Sequence, residues 1–346
     1  MHYSDIKQSQ ASGGLGRITQ WMRPLLPGLA LTLGLALVAM GVQRLSGIAA
    51  LSPLVVAMVL GMVIRNTFGP IPAAAPGITF SLKKILRFAI ILLGLQLTLM
   101  QLVAVGGGGL LAIVATLGLT FVFTKLVGRA MGVERKLTEL IAAGTSVCGA
   151  SAVLATNTVT RGSDEDVAYA IACVTVFGSL SMLAFPALAP LLGLGADSYG
   201  LWVGASIHEV AQVVGAAFQG GEAAGQTGTV AKLARVILLA PLVLSLGLWA
   251  ARRQGGDGPA GRAPMPWFVL GFIAMVGVNS ALPIPEPLHG ALVWLTAFLL
   301  TAALAAMGLE TDIRKLRAKG ARPLALGALA WLFISCTGLA LVLLLT

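Results

Sequence analysis

The sequence predicts an all-α polytopic membrane protein with about 11 transmembrane helices. Hydrophobic residues make up 57% of its 346 residues, and charged residues only 10%. Apolar runs of about 20 residues, the length that crosses a ~30 Å hydrocarbon layer, recur along the chain. Because the basic residues lie in short stretches between these runs, the net charge of +10 does not indicate a nucleic-acid partner. The expected partner is the lipid bilayer.

The predicted spans form a single transmembrane transporter domain over residues 25–346, which follows an N-terminal tail, residues 1–24. Hydropathy places the spans at 25–43, 48–66, 80–101, 108–128, 137–158, 165–187, 199–219, 229–250, 266–282, 287–309 and 322–345. All but four of the 23 Lys and Arg residues then lie on the side of the N-terminus. The four exceptions are Arg44, Arg161, Lys232 and Arg235. By the positive-inside rule the N-terminus is cytoplasmic and the C-terminus lies on the opposite face.

An internal repeat relates the early and late parts of the chain. Residues 94–106 match residues 308–320 at an offset of 214, and two Pro-Ile-Pro triplets match at an offset of 213. The repeat halves are approximately 48–128 and 266–345, and central helices over 137–250 separate them. Each span of the second copy comes seven spans after its counterpart in the first, an odd number, so the copies run in opposite directions, as in the inverted repeats of secondary transporters. Chance similarity between Leu-, Ala- and Gly-rich helices is the alternative.

A glycine- and hydroxyl-rich segment, residues 144–152, favours an interrupted helix. Glycine lowers helix propensity and lets the backbone approach a ligand, and N–H groups freed at a half-helix N-terminus attract anions. A small-residue face that packs helices and binds no ligand is the alternative. The candidate substrate-binding residues of this segment are Gly144, Thr145, Ser146, Cys148, Gly149 and Ser151.

Another apolar span holds a histidine and a carboxylate side by side, His208 and Glu209. Ionisable groups in hydrocarbon cost roughly 2.5–3.5 kcal/mol each, so they usually face a bundle interior or a cavity. Gly204, His208 and Gln212 recur every four residues and form one helical stripe, with Ser206 nearby. Ser206, His208 and Gln212 are therefore candidate substrate-binding residues.

The histidine and the carboxylate have more than one interpretation. Histidine changes its charge near neutral pH, and a buried carboxylate can exchange a proton, which favours a role in coupling. One of the two could instead pair with Lys232 or Arg235 on the next span and hold two helices in register. Both interpretations remain open from the sequence.

No metal site and no cofactor is predicted. Gln212 stands where the zinc-protease motif His-Glu-x-x-His needs its second histidine. The chain is expected not to be an enzyme. An intramembrane hydrolase is a weaker alternative, for which Ser146 or Cys148 would supply a nucleophile and His208 a base.

Four motifs in order resemble the YeiH-like transporters, a family named for sulfate export. The motifs are residues 144–153, 208–214, 232–241 and 308–311. The resemblance implies a carrier of the bacterial inner membrane within the superfamily of cation/proton antiporters and anion transporters. It also implies an NhaA-like inverted repeat with discontinuous crossing helices. One departure is Gln96, at a position where the family often has arginine.

The resemblance and the repeat together suggest where the crossing helices lie. The repeat mates are the spans that hold Gln96 and Glu310, which are candidates for coupling or charge balance. Glu310 is alternatively a solvated loop charge beside a basic run. The spans over 137–158 and 199–219 are an even number apart, so they would be parallel if both cross fully, and the sequence leaves open whether they cross or are interrupted. His208 is then expected beside the crossing point and not on a crossing helix.

The predicted function is secondary transport of a small oxyanion, namely sulfate, sulfite or a sulfonate. Residues 144–151 would hold the anion, Lys232 or Arg235 would balance its charge, and His208 and Glu209 would couple transport to a proton or a sodium ion. A homodimer is compatible with this function. An anion channel is the alternative from another class.

Overall fold

The computed structural model describes residues 22–46, 52–100, 106–254, 267–282, 284–317 and 319–346. This part of the chain is helical and contains no strand. Its longer helices are α1 (Leu26–Ser46), α2 (Pro53–Phe68), α3 (Ala75–Phe80), α4 (Leu86–Leu93), α5 (Gly106–Ala130), α6 (Arg135–Ser146), α7 (Ala150–Thr160), α8 (Asp164–Leu191), α9 (Ala196–Ser206), α10 (Val210–Ala217), α11 (Glu222–Ile237), α12 (Leu239–Gln254), α13 (Trp267–Ala281), α14 (Glu286–Glu310) and α15 (Ala321–Leu345).

Short helical turns complete the architecture. A π-helical segment, Ser81–Ile85, joins α3 to α4, and 3₁₀ turns flank this stretch at Pro72–Ala74 and Gly94–Gln96. Further 3₁₀ turns follow α10 at Phe218–Gly220 and α14 at Ile313–Arg317. Residues 72–96 are therefore helical throughout, with a change of helix type along their length.

The prediction of a multi-pass membrane protein is confirmed at the level of its apolar helices. Six helical stretches in the described residues are long and apolar enough to cross a membrane. They are Arg23–Leu45, Gly106–Ala130, Asp164–Leu191, Glu222–Leu248, Glu286–Glu310 and Ala321–Leu345. The two shorter apolar helices, Pro53–Phe68 and Trp267–Ala281, occupy two more of the predicted spans.

The chain divides into two compact units. The first comprises residues 1–89 and 297–310, and the second comprises residues 90–296 and 311–346. In the first unit glycines allow close helix contact, since a Cβ at Gly28 would lie 2.1 Å from the carbonyl oxygen of Ala74, and one at Gly308 would lie 2.1 Å from that of Met58. The second unit contains the motifs at 144–153 and 208–214.

The predicted span over 137–158 is interrupted and forms a helical hairpin. Helices α6 and α7 run antiparallel: Lys136 Nζ donates to the carbonyl oxygen of Arg161 at 2.8 Å, and Thr160 Oγ1 donates to Glu139 Oε2 at 3.1 Å. The chain reverses at residues 147–149, where Gly149 has a φ of +67° that favours glycine. We call residues 135–160 hairpin 1.

The predicted span over 199–219 is a second hairpin. Tyr199 Oη, near the start of α9, donates to the carbonyl oxygen of Ala216, near the end of α10, at 2.9 Å. Between the two helices the backbone is extended at Ile207 and at Glu209. We call residues 196–217 hairpin 2.

The two hairpins start from opposite ends of α8. Hairpin 1 ends just before the first residue of α8, and hairpin 2 begins just after the last one. Each segment reverses direction, so the condition under which the two would be parallel spans, that both cross fully, is not met. His208 lies within the interruption of hairpin 2, between α9 and α10. Hydropathy records only how apolar a segment is, so it cannot distinguish a crossing from a reversal of the same length.

Candidate functional site

The tips of both hairpins meet beside the middle of α8. A Cβ at Gly144 would lie 2.8 Å from Val174 Cγ1, and the side-chain amide of Gln212 donates to the carbonyl oxygen of Thr175 at 2.9 Å. Val174 and Thr175 lie near the centre of the 28-residue helix α8. Since α8 is long enough to cross a membrane, the hairpin tips lie near the mid-height of a membrane-spanning helix.

Lys232 of α11 binds the ends of the first helix of each hairpin. Its side chain is fully buried, and its Nζ donates to the carbonyl oxygens of Val147 at 2.7 Å and Ile207 at 2.8 Å, and to that of His208. Three donated hydrogen bonds require the ammonium form, which carries one positive charge. Its three donors are thereby all occupied by backbone carbonyls.

Arg235 lies one helical turn further along α11 and has the same kind of partners. It is fully buried, and its five N–H groups all donate to backbone carbonyls at 2.7–3.2 Å. The acceptors are Thr145, Ser146, Gly204 and Ile207. The last carbonyls of a helix have no intrahelical partner and carry about half a negative charge, so two cations at these C-termini are favourably placed.

Glu209 occupies the complementary position at the helix N-termini. Its Oε1 accepts a hydrogen bond from the Ala150 N–H, the first residue of α7, at 3.2 Å. As the N-cap of α10 it also accepts from the backbone N–H of Gln212, whose side-chain Oε1 in turn accepts from the Glu209 N–H at 3.2 Å. One carboxylate thus caps the positive ends of both returning helices.

The charges at the hairpin tips do not cancel. Lys232 and Arg235 each contribute one positive charge, and Glu209 contributes one negative charge. The partial charges of the two helix C-termini and the two helix N-termini offset each other. One positive charge therefore remains among these groups, and in a region of low dielectric such a charge favours the binding of an anion.

Two buried polar atoms at the tips lack partners among the described residues, namely Ser146 Oγ and His208 Nδ1. Ser146 ends the first helix of hairpin 1, and His208 lies in the break of hairpin 2, with exposures of 0% and 1%. An unsatisfied buried polar atom costs about 1–3 kcal/mol, so such atoms are rare unless a ligand or water binds them. Both can donate a hydrogen bond, the imidazole in its Nδ1–H tautomer.

The other predicted site residues have mainly structural contacts. Ser206 Oγ donates to the carbonyl oxygen of Ile334 at 3.3 Å, and the amide of Gln212 contacts Thr175 and Ser179. Thr145 is buried and contributes its carbonyl oxygen to Arg235. Gln212 therefore joins hairpin 2 to α8 with its side-chain donors.

The remaining residues of the 144–151 segment differ in their exposure. Gly144 packs against Val153, and a Cβ at Gly149 would lie 2.6 Å from Glu209 Cγ, so both glycines allow close contact. Cys148 is buried in the turn, whereas Ser151 is exposed. Ser151 is thus the member of this predicted set that lies on the outside of the hairpin.

Gln96 and Glu310 belong to different units. Gln96 ends the 3₁₀ turn after α4, and its carbonyl oxygen accepts from Gln226 Nε2 at 3.2 Å. Glu310 is the last residue of α14 and lines a cavity of about 50 Å³ in the first unit together with Arg65. In the second unit, the interruptions that bring buried charges together are those at residues 147–149 and 207–209.

Two residues that the sequence did not single out contribute to the site. Thr175 and Ser179 of α8 bind the Gln212 amide through the Thr175 carbonyl oxygen and Ser179 Oγ. Their spacing of four residues inside an apolar helix was the available signal. In the described part of the chain no group of three His, Cys, Asp or Glu side chains is placed to hold a metal ion.

Comparisons with known proteins match most of the chain. Residues 27–327 match the family model described as conserved hypothetical protein 698. The UPF0324 membrane protein PA5383 of Pseudomonas aeruginosa is 40% identical over 330 residues, covering 90% of this chain and 93% of the relative. A UPF0324 membrane protein of Bacillus cereus is 35% identical, covering 91% and 93%. Atu0671 of Agrobacterium fabrum, a third such protein, is 37% identical, covering 94% of each chain.

No solved structure matches the chain. The family match covers both hairpins and the two buried cations of α11. The chain therefore belongs to the family described as conserved hypothetical protein 698, whose similar members named above are UPF0324 membrane proteins.

Proposed function

We propose that this protein is a secondary transporter that carries a small oxyanion, sulfate or a related sulfur compound, across the bacterial inner membrane. The observation that carries the proposal is the pair of unpartnered buried atoms, Ser146 Oγ and His208 Nδ1, at tips that hold an uncompensated positive charge. An oxyanion offers several acceptor oxygens and a negative charge, which matches two donors and a surplus cation.

The buried cations act on the anion in this proposal through their charge. All the donors of Lys232 and Arg235 are occupied by carbonyl oxygens of the hairpins, so neither side chain has a hydrogen left for a ligand. Ser146 and His208 donate the hydrogen bonds, and the cations raise the local potential. This division agrees with the sequence-based hypothesis that Lys232 or Arg235 balances the charge of the anion.

The arrangement of the hairpins supports transport over the two alternatives. Interrupted helices near the bilayer midplane are typical of carriers that alternate access around a fixed site. A hydrolase would need a serine joined to its base, but among the described residues Ser146 Oγ and His208 Nδ1 each lack a hydrogen-bond partner. We therefore propose no enzymatic activity and no resident cofactor.

The residues at which helices begin and end in the two sequence copies support the proposed inverted repeat. Helices α2 and α13 are each followed by a Pro-Ile-Pro triplet. The helical stretch 72–96 and helix α14, 286–310, begin and end at the same offset of 214 that relates the two sequence copies.

Charge distribution supports a cytoplasmic N-terminus. In hairpin 1 the carbonyl of Arg161 lies beside Lys136, so Arg161 joins the basic side, and Lys232 and Arg235 are buried at the tips. Of the four exceptions to the positive-inside rule, only Arg44 then remains. Coupling to a proton or sodium ion through His208 and Glu209, and a homodimeric assembly, stay predictions.

The test is uptake of labelled sulfate, sulfite and taurine into vesicles that contain the purified protein. Ser146→Ala and His208→Ala each remove one unpartnered donor, and we expect each to lower uptake at least about tenfold without loss of folded protein. The matched controls are Ser245→Ala, at an exposed serine of α12, and His289→Ala, near the start of α14, and both should transport like the wild type. Wild-type rates in Ser146→Ala and His208→Ala would contradict the site. Imposed pH and sodium gradients in the same vesicles test the coupling ion.

A further inference from the structure

The charges at the hairpin tips determine how many negative charges a bound anion can carry. Lys232 and Arg235 are fully buried, and Glu209 is half-buried in the interruption of hairpin 2. Each of the three side chains is hydrogen-bonded to backbone groups of the hairpins, so none of them is free to move away. The surplus of one positive charge is therefore a fixed property of the tips.

The two other buried carboxylates among the described residues of the second unit do not cancel this surplus. Glu139 is 5% exposed and accepts from Lys125 Nζ at 3.3 Å and from Arg135 Nε at 3.2 Å. Asp166 is 2% exposed and accepts from Lys319 Nζ at 2.8 Å. At 1.5 Å per residue, both carboxylates lie about 10 Å or more from the tips along their helices. Each therefore has its own cation at a distance from the site.

The number of donors at the tips is small. All the donors of Lys232 and Arg235 are occupied by backbone carbonyls. Among these two residues, Ser146 and His208, only Ser146 Oγ and His208 Nδ1 can donate to a ligand. A dianion gives up a stronger hydration shell than a monoanion, so it needs more donors in a site without water.

The cost of burial also depends on the charge of the anion. The free energy of transferring an ion out of water rises with the square of its charge, so a dianion costs about four times as much as a monoanion of the same size. A monoanion brings the tips to neutrality. A dianion leaves one buried negative charge without a balancing cation among the groups described at the tips, and such a charge is strongly unfavourable.

We infer that the site selects singly charged oxyanions over doubly charged ones, so that a sulfonate and not sulfate is its preferred ligand. The inference rests on the proposed function and narrows its substrate to one charge class. A sulfonate carries one negative charge and sulfate carries two near neutral pH, and both present oxygens on a tetrahedral sulfur. Charge is therefore the property by which the tips distinguish them.

The experiment measures equilibrium binding of labelled methanesulfonate and labelled sulfate to the purified full chain in detergent. Both titrations are made at the same ionic strength, because salt screens charge. We expect the wild type to bind methanesulfonate at least about tenfold more tightly than sulfate.

Glu209→Gln changes the charge of the site and keeps its hydrogen bonds. The glutamine oxygen can still accept from the N–H groups of Ala150 and Gln212. The surplus rises to two positive charges, so sulfate now brings the tips to neutrality. We expect the affinity for sulfate relative to methanesulfonate to increase at least about tenfold. The matched control is Glu134→Gln, at the exposed N-cap of α6 whose side chain makes no capping hydrogen bond, and it should keep the wild-type ratio.

The outcomes separate this inference from the proposed function. A wild type that binds sulfate as tightly as methanesulfonate, or more tightly, would overturn the inference, and so would an unchanged ratio in folded Glu209→Gln protein. In both cases a loss of anion binding in Ser146→Ala would still support the proposed function. If Glu209→Gln does not fold, the ratio in the wild type decides. A wild type that binds neither anion would contradict the proposed function and the inference with it.

Discussion

Replacing Lys232 with methionine tests how the two hairpins are held together. Methionine keeps most of the volume of the lysine stem but removes its three donors. The carbonyl oxygen of Ile207 keeps a second partner, because Arg235 Nη1 donates to it at 2.9 Å. The carbonyl oxygens of Val147 and His208 lose the partner that the described structure gives them. The substitution therefore leaves two buried acceptors unsatisfied, one in each hairpin.

The expected magnitude follows from these two acceptors. Each unsatisfied buried carbonyl costs about 1–3 kcal/mol, so Lys232→Met should lower the free energy of unfolding by about 2–6 kcal/mol. With the usual unfolding entropy of about 2.1 cal/mol/K per residue, a chain of 346 residues should show a decrease in Tm of about 3–8 °C. The variant also removes the surplus positive charge at the tips, so any folded Lys232→Met protein should fail to bind the transported anion.

The assay is thermal unfolding in detergent, with Lys125→Met as the matched control. Lys125 forms an ion pair with Glu139 at 3.3 Å, but its side chain is 26% exposed, and Glu139 keeps hydrogen bonds from Arg135 and Thr160. Such a pair contributes about 0–1 kcal/mol, so the Tm of the control should fall by about 1 °C or less. A decrease for Lys232→Met no larger than that for Lys125→Met would refute the role assigned to Lys232.

Three further predictions concern the hairpins and the basic segment. Gly149→Ala should lower the Tm, because φ is +67° at this residue and the new Cβ would lie 2.6 Å from Glu209 Cγ. The control is Gly107→Ala, whose new Cβ would have no atom within 4 Å, and its Tm should stay at the wild-type value. Tyr199→Phe should destabilise by about 1 kcal/mol through loss of the hydrogen bond to Ala216, whereas Tyr169→Phe should not, because the Tyr169 hydroxyl has no hydrogen-bond partner among the described residues. The hydrogen bond to Asp166 raises the pKa of Lys319 above its ordinary value of 10.5. The contact therefore stabilises the folded state fully below pH 10.5, and this stabilisation is lost as the pH rises through the raised pKa. Melting curves should show a Tm deficit for Lys319→Met near neutral pH that shrinks in strong alkali, and a constant deficit would contradict the assignment.

The membrane class and the interruption within residues 144–152 could be predicted because they depend on composition and local motifs. A run of apolar residues identifies a membrane segment wherever the chain then goes, and the glycines at 144 and 149 marked an interruption that the structure contains. The buried charges at 208–209 and 232–235 similarly indicated a common site. Each of these signals is carried by residues close together in sequence.

The reversal of the chain could not be predicted in the same way. It depends on contacts between the two arms of each hairpin, such as that of Lys136 with Arg161, which hydropathy does not record. The partners of Lys232 and Arg235 are backbone carbonyls, which every residue possesses, so no sequence pattern identifies them. Glu209 seemed to be a candidate partner of these cations, whereas in the structure it caps two helix N-termini.

The central claim, that two hairpins enter from opposite sides and meet at the site, is tested by labelling single cysteines in intact cells. In a Cys336→Ala background, where the remaining Cys148 and Cys173 are buried, the probes are Lys136→Cys, Arg161→Cys and Glu222→Cys. A membrane-impermeant thiol reagent should find positions 136 and 161 on the same side and position 222 on the other. Labelling of positions 136 and 161 from opposite sides would show that residues 135–160 cross the membrane and would contradict the account.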